Sequence, residues 1–411
     1  MFACAAFAQE KTLLETLVKN GTISEAEATQ IAKDRVVVTP SKPEAKVLTI
    51  GGGIDVWYSW SNFNASNSNL GADTNGFDLR YVKLDVKAEI AGGWQVDFVT
   101  DFGVEGRNRN YLDRVVLSKN FDYESLNGVL QLGMRKVNMG AEQTMDDFAL
   151  PALERSAATW FFTRPDSGRG AKNFGSRAIG VFWDGKLPQI EGLGYGMALV
   201  GGNSYEGSSA SLANYDGNNN LSIYLNASYA GSKIISDREF KYEFGLNYGY
   251  ANGGYVADNR KNEMWGLNPY ITLSYRGASA TLEYFVQSVK NGAELDKKAL
   301  PQGFNAIFAY RFSLGAIGDL EPVFRISMLS TDGMGFNPIA TNPYENTQRL
   351  GGALYDDAQT YYFGANWYII NSVKFSLGYE WGQFTNPVNA AASSNGKVTS
   401  NMVRASLQVL F

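Results

Sequence analysis

Charge of both signs is concentrated in one stretch, Gly133 to Gly185. Glu142, Asp146, Asp147, Glu154 and Asp166 stand there against Arg155, Arg164, Arg169 and Lys172, with Arg135 and Lys136 leading in and Arg177 following. Such groups can move protons, hold a metal or set a field. Histidine is absent, which removes His triads, His metal ligands and His general bases. Carboxylate or lysine chemistry remains open, but no pair is spaced for it, so no cofactor, no metal and no reaction are expected. The single cysteine, Cys4, offers no disulfide framework. A net charge of −5 argues against nonspecific nucleic-acid binding. What these charges can do is set a field for small ions or solutes.

Something must hold them in place. The stretch begins and ends as a strand, with an irregular middle of about 35 residues, and loops of that length are functional or disordered. Phe148, Leu150, Leu153, Trp160, Phe161 and Phe162 need a packing partner. An apolar, charged insertion suggests a loop at about 140–175 folded into a barrel lumen, where it narrows a pore.

The rest of the chain reads as that barrel. Apolar content is 45% of 411 residues, yet mean hydropathy is −0.22, so apolar and polar residues are interleaved. No run approaches the ~18 apolar residues of a membrane helix. From Val47 onward the period is two. Val82, Leu84, Val86, Ala88 and Ile90 alternate with Tyr81, Lys83, Asp85, Lys87 and Glu89. Phe240, Tyr242, Phe244, Leu246 and Tyr248 do the same, as do Val403, Ala405, Leu407, Val409 and Phe411. About 16 such segments of ~9–13 residues fit tilted membrane strands. Their apolar faces begin or end in aromatics, as interface girdles do. Short links such as Ala91-Gly92-Gly93 alternate with long ones such as 203–220 and 333–356, the outer-membrane pattern. The expected fold is all-β: a 16-stranded antiparallel transmembrane β-barrel over 47–411 with an inward-folded constriction loop. A soluble all-β repeat protein shares the composition.

The N-terminus differs. Residues 1–9 resemble the end of a secretory signal, with Ala6-Phe7-Ala8 as a small-x-small cleavage pattern. Leu13, Leu14, Leu17 and Val18 recur at helical spacing, and Ser24 to Glu27 is a capping-box pattern. A short periplasmic helical hairpin and linker are expected over 10–46.

Four places resemble one family, the phosphate-selective porins of the O/P type. They are Phe77 to Leu84, Trp94 to Phe102, the set Gly133-Met134-Arg135-Lys136, Gly140-Ala141-Glu142 and Leu153-Glu154-Arg155-Ser156, and Gly175 to Val181. The terminal Phe411 is similar to the family's assembly signal. The resemblance implies a 16-stranded outer-membrane channel, a homotrimer, an anion preference and a binding-site lysine at Lys136. Two departures bear on selectivity. Arg80 is followed by Tyr81 where the family has two basic residues. Asp146-Asp147-Phe148 stands where it has Ser-Ser-Arg, and two carboxylates at a constriction would repel an anion.

The pore-lining candidates each carry two readings. Lys136 contacts an anion or pairs with Glu142 or Asp101. Arg80, Lys83 and Lys87 form a basic wall, or are neutralised by Asp85 and Glu89. Arg155 with Glu154 reads first as an anchor of the loop. Arg164, Arg169, Lys172 and Arg177 form a basic ladder, or, except for Arg177, solvated loop charge. Asp146 and Asp147 tip the pore toward cations or cap a turn. The expected activity is passive diffusion of small anions or other small hydrophilic solutes across an outer membrane whose lipid surrounds the barrel. A weakly selective or sugar-type general porin, and a plugged structural or adhesive barrel, are the alternatives. An enzyme barrel would need carboxylates alone.

Overall fold

Strands alternating apolar and polar side chains can turn one face to lipid and the other to water, and a sheet that does so in lipid can have no open edge. The computed structural model meets that condition. It describes residues 45–65, 74–103, 111–123, 126–163, 174, 177–201, 221–255, 261–291, 297–338, 353–389 and 396–411. The expected leader at 1–9, the hairpin segment up to residue 44, and Arg164, Arg169 and Lys172 lie outside the described residues.

The chain closes as a 16-stranded antiparallel barrel. Its first strands are β1 (Ala45–Ala65), β2 (Thr74–Ile90), β3 (Trp94–Asp101), β4 (Leu112–Tyr123) and β5 (Leu126–Lys136). The loop that follows returns at β6 (Arg177–Lys186), then β7 (Leu193–Gly201), β8 (Leu221–Ile235), β9 (Arg238–Tyr255), β10 (Lys261–Tyr275) and β11 (Ala278–Lys290). β12 is broken into Lys298–Ala299, Gln302–Tyr310 and Phe312–Ser313. β13 (Asp319–Ser330), β14 (Tyr355–Ile370), β15 (Val373–Pro387) and β16 (Val398–Leu410) complete it. Every strand pairs with its sequence neighbours, and β1 pairs with β16 from Gly53 opposite Leu410 to Ala65 opposite Val398. Phe411 seals the seam: its amide and carbonyl exchange hydrogen bonds with Gly52 at 3.1 and 3.0 Å. Closure satisfies the backbone groups that a hydrocarbon surround could not.

The outward face is apolar. Leu79, Leu132, Val181, Met197, Leu246, Phe308, Phe363, Leu377 and Leu407 are all exposed, an arrangement water would penalise and lipid tails favour. Aromatics gather where the short turns are: Phe121 with Tyr123, Phe240 with Tyr275, Tyr310 with Phe312. Those turns are tight because both central residues take positive φ, as at Ser236-Asp237 (47° and 60°) and Arg276-Gly277 (50° and 84°). β1 has 21 residues and β2 has 17, more than the ~9–11 a bilayer needs, so the wall rises beyond the lipid.

The lumen departs from a simple polar face. Toward the long-loop end its wall turns apolar, with Phe63, Phe182, Met264, Phe285, Val289 and Leu329 buried there. The loop fills this half. Helix α1 (Ala141–Thr144), a 3₁₀ turn (Asp147–Ala149) and helix α2 (Ala157–Thr163) lie inside the barrel, and every residue of α2 is buried. The Phe162 ring stacks on Phe285 at 4.8 Å. The space comes from Gly303, where an added Cβ would sit 2.8 Å from Phe162 Cε2. The rings of Trp160, Phe161 and Phe162 each contribute about 1.5–3 kcal/mol by leaving the water of the lumen.

Candidate functional site

A phase shift in β2 builds the first part of the site. Phe77 and Leu79 point outward on one side of it, and so do Val82, Leu84 and Val86 on the other. Between them the pairing with β1 slips at Asp55/Val56. A bulge places two consecutive side chains on one face, so both Arg80 and Tyr81 turn inward and are buried. The single basic residue before Tyr81 is therefore an interior residue. Arg80 ion-pairs with Glu154 of the loop and lies 5.1 Å from the rings of Trp57 and Tyr81.

Three strands and the loop then converge on Asp147. Arg155 donates to its Oδ1 at 2.6 Å and Lys136 to the same oxygen at 3.2 Å. Lys83 pairs with Oδ2, and Arg177 lies 3.7 Å from it. Behind this, Asp113 accepts from Arg177 at 2.5 Å and from Lys83 at 3.3 Å. Burial pushes the Asp147 carboxyl up, but Lys136, Lys83, Arg155 and Arg177 outweigh it and hold it well below the ordinary carboxylate range. Burial likewise works against the Arg155 cation, and Asp147 overrides that, holding the guanidinium protonated. Lys136 also donates to the Met145 carbonyl at 2.7 Å; its partner is Asp147, not Glu142 or Asp101. Arg155 ties Asp147 and Met145 together within the loop, while Glu154 takes the wall contact with Arg80 that was expected of the two together.

The opposite wall staples the loop. Glu142 accepts from Arg325 at 3.2 Å and from the Ser156 amide at 2.9 Å. Arg325 also meets the Glu154 carbonyl and Glu380, which holds Arg404 at 3.2 Å. Glu283 accepts the Ala141 amide at 2.7 Å. Lys374 donates to the Phe148 carbonyl at 2.9 Å, and Asn366 to the Pro151 carbonyl at 2.9 Å. Phe148 leans over Gly53, where an added Cβ would lie 2.7 Å from its Cζ. Arg325, Glu380, Arg404 and Glu283 escaped the reading of the sequence. Their signal was a charge at an alternating inward position, on faces that also carry apolar residues such as Phe285, Leu329, Phe384 and Met402.

With the loop packed toward β11 to β14, open space remains against β1 to β5. A cavity of about 500 Å³ is bordered there by Lys83, Lys87, Arg114, Arg135 and Lys136, with Asp85, Asp113 and Asp146 as its carboxylates. Arg114 reaches Asp97 at 3.0 Å and Arg135 reaches Asp184 at 2.5 Å. Asp146 is exposed and caps the 3₁₀ turn by accepting the Phe148 amide at 2.8 Å. The expectation of two repelling carboxylates is thus corrected: Asp147 is buried among four cations, and Asp146 alone of the pair faces the space. Asp101, opposite Lys83 on β3, does not border the cavity, and its Oδ1 accepts the amides of Val82 and Gly103. A wider cavity of about 1050 Å³ opens at the short-turn end beside Lys186, Glu191, Ser232, Lys241 and Glu243. Among the described residues, no cluster of His, Cys, Asp or Glu could hold a metal.

Residues 49–227 match the family model described as phosphate-selective porin O and P. No curated protein matches the chain. Among solved structures, the anion-selective porin from Comamonas acidovorans superposes with a TM-score of 0.58 at 12% identity, over 89% of this chain and 99% of that one. The outer-membrane channel DcaP of Acinetobacter baumannii gives 0.56 at 9% identity, covering 92% and 100%. OmpF of Salmonella typhi, solved with daunomycin, gives 0.52 at 17% identity, covering 89% and 98%. At these identities the likeness is one of fold.

Proposed function

We propose that this chain, an outer-membrane porin of the phosphate-selective O and P family, passes small hydrophilic solutes and ions by diffusion with a weak preference for anions. The observation that carries the preference is the lining of the 500 Å³ cavity, where five cations face three carboxylates. Counting the neighbours behind the lining narrows that margin, because Arg155 and Arg177 are offset by Asp97, Asp147 and Asp184. The field at the constriction is positive but small, which favours modest selectivity over a tight anion site. The barrel lies in bacterial outer-membrane lipid, against which its apolar outer face packs, and assembles as a homotrimer, as the family likeness implies. It carries out no reaction.

Reversal potential in a planar bilayer under a KCl gradient tests this. A modest potential of the sign set by chloride is expected. A cation-selective channel would refute the preference. A second reading follows from the apolar packing of Trp160, Phe161 and Phe162: a barrel plugged by its loop, with a structural role. Liposome swelling in small sugars separates the two, since a plugged barrel gives none.

A further inference from the structure

We propose that Asp147 is a tethered anion, a carboxylate built into the loop that occupies an oxyanion site formed by Lys83, Lys136, Arg155 and Arg177. The four cations come from four places in the chain: β2, β5, the loop and β6. They meet at one carboxylate that is only 7% exposed. With Asp147 in place, both of its oxygens are engaged by cations. Without it, the four cations lose the carboxylate they share, while Asp113 stays with Lys83 and Arg177. The donors are not exhausted either: Arg155 Nε is buried with no hydrogen-bond acceptor. An empty cluster of this kind would be unstable, because buried like charges repel and each has given up its water. It must therefore take an anion from its own loop or from solution. The open cavity touches the cluster through Lys83 and Lys136, so a small anion can reach it. The chemistry that fits is a small carboxylate, since acetate reproduces the Asp147 side chain. Asp147 thereby sets specificity, because it keeps a passing oxyanion from settling among cations already satisfied.

The inference rests on the seated loop and not on conduction, so its main test reads binding. The full-length protein would be folded in detergent as wild type, Asp147→Ala and Asp147→Asn, and its unfolding temperature followed in acetate, in inorganic phosphate and in chloride at matched ionic strength. The Ala variant opens the space and should be destabilised in chloride and restored by acetate. The Asn variant fills the space without charge and should gain less from acetate, while the wild type should gain nothing. Restoration by phosphate as well would show a site for oxyanions in general; restoration by acetate alone would show one shaped for a carboxylate. Equal behaviour of all three proteins in the three salts would overturn the proposal. If the Ala variant folds in none of them, the Asn variant decides. Its unfolding temperature should rise when chloride is exchanged for acetate while that of the wild type stays put, and an equal response of the two would overturn the proposal.

Discussion

Asp146→Asn isolates the field from the fold. The side chain caps the 3₁₀ turn through the Phe148 amide, and Asn caps as well as Asp does, so the loop stays seated while one exposed charge disappears. A sphere of about 500 Å³ has a radius of ~5 Å, and two unit charges that far apart in water interact by about 0.8 kcal/mol. Screening at 0.1 M salt, with a Debye length of about 10 Å, leaves about 0.5 kcal/mol. That is a factor of a little over ~2 in the local population of each ion, with opposite signs for anion and cation. The chloride-to-potassium permeability ratio should therefore rise about five-fold. At 1 M salt the Debye length is about 3 Å, and the gain should shrink to less than about two-fold. Reversal potentials at both salt concentrations measure this. A ratio unchanged at low salt would mean ions do not pass beside Asp146, and the placement of the path against β1 to β5 would be wrong.

Phe162→Ala removes the ring stacked on Phe285 and should cost the loop about 3–5 kcal/mol of its seating, read as larger and noisier single-channel currents. Glu154→Gln leaves Arg80 buried without its carboxylate and should lower stability by about 3–5 kcal/mol, measured by denaturant unfolding in detergent. For acid, the sign follows from Asp147, whose carboxyl is held below its unfolded value of about 3.9. That stabilisation is complete above the unfolded value and is lost as pH falls through the depressed folded one. The Asp147 share of the current noise, read as the difference between wild type and Asp147→Asn, should stay flat from about pH 8 to pH 5 and change only below about pH 4; a change in that difference already at about pH 6 would refute the neutralisation. Leu246→Arg, midway along β9 on the lipid face, should destabilise folding into vesicles by about 2–4 kcal/mol.

The barrel was legible because its rule is local. Period-two alternation, aromatic strand ends and alternating link lengths each occupy a few residues, and all describe one closed sheet. The loop was legible as an insertion, and Arg80, Lys83, Lys136, Glu142, Asp147, Arg155 and Arg177 could be named as its charged surroundings. The partnerships could not. Arg80 pairs with Glu154 across 74 positions of sequence and Arg325 with Glu142 across 183. No periodicity encodes which inward charge on one strand meets which loop residue. The bulge at Arg80-Tyr81 was hidden for a related reason: alternation looks regular on both sides of it, and only the register against β1 reveals the slip.

The same limit explains why Asp146-Asp147 misleads when read as a dipeptide. Adjacent residues of an irregular loop need not share a face, and here one carboxylate caps a turn in the open while its neighbour is enclosed by four cations. The enclosed charge contributes to anchoring and the exposed one to the field. Two identical side chains therefore have opposite consequences for an anion. Removing Asp146 should favour its passage, whereas removing Asp147 should invite it to stay. A single double comparison distinguishes them, since current through the Asp146 variant should be insensitive to acetate and current through the Asp147 variant should be reduced by it. If acetate affected both equally, the two carboxylates would share one environment, and the separation of anchor from field would fail.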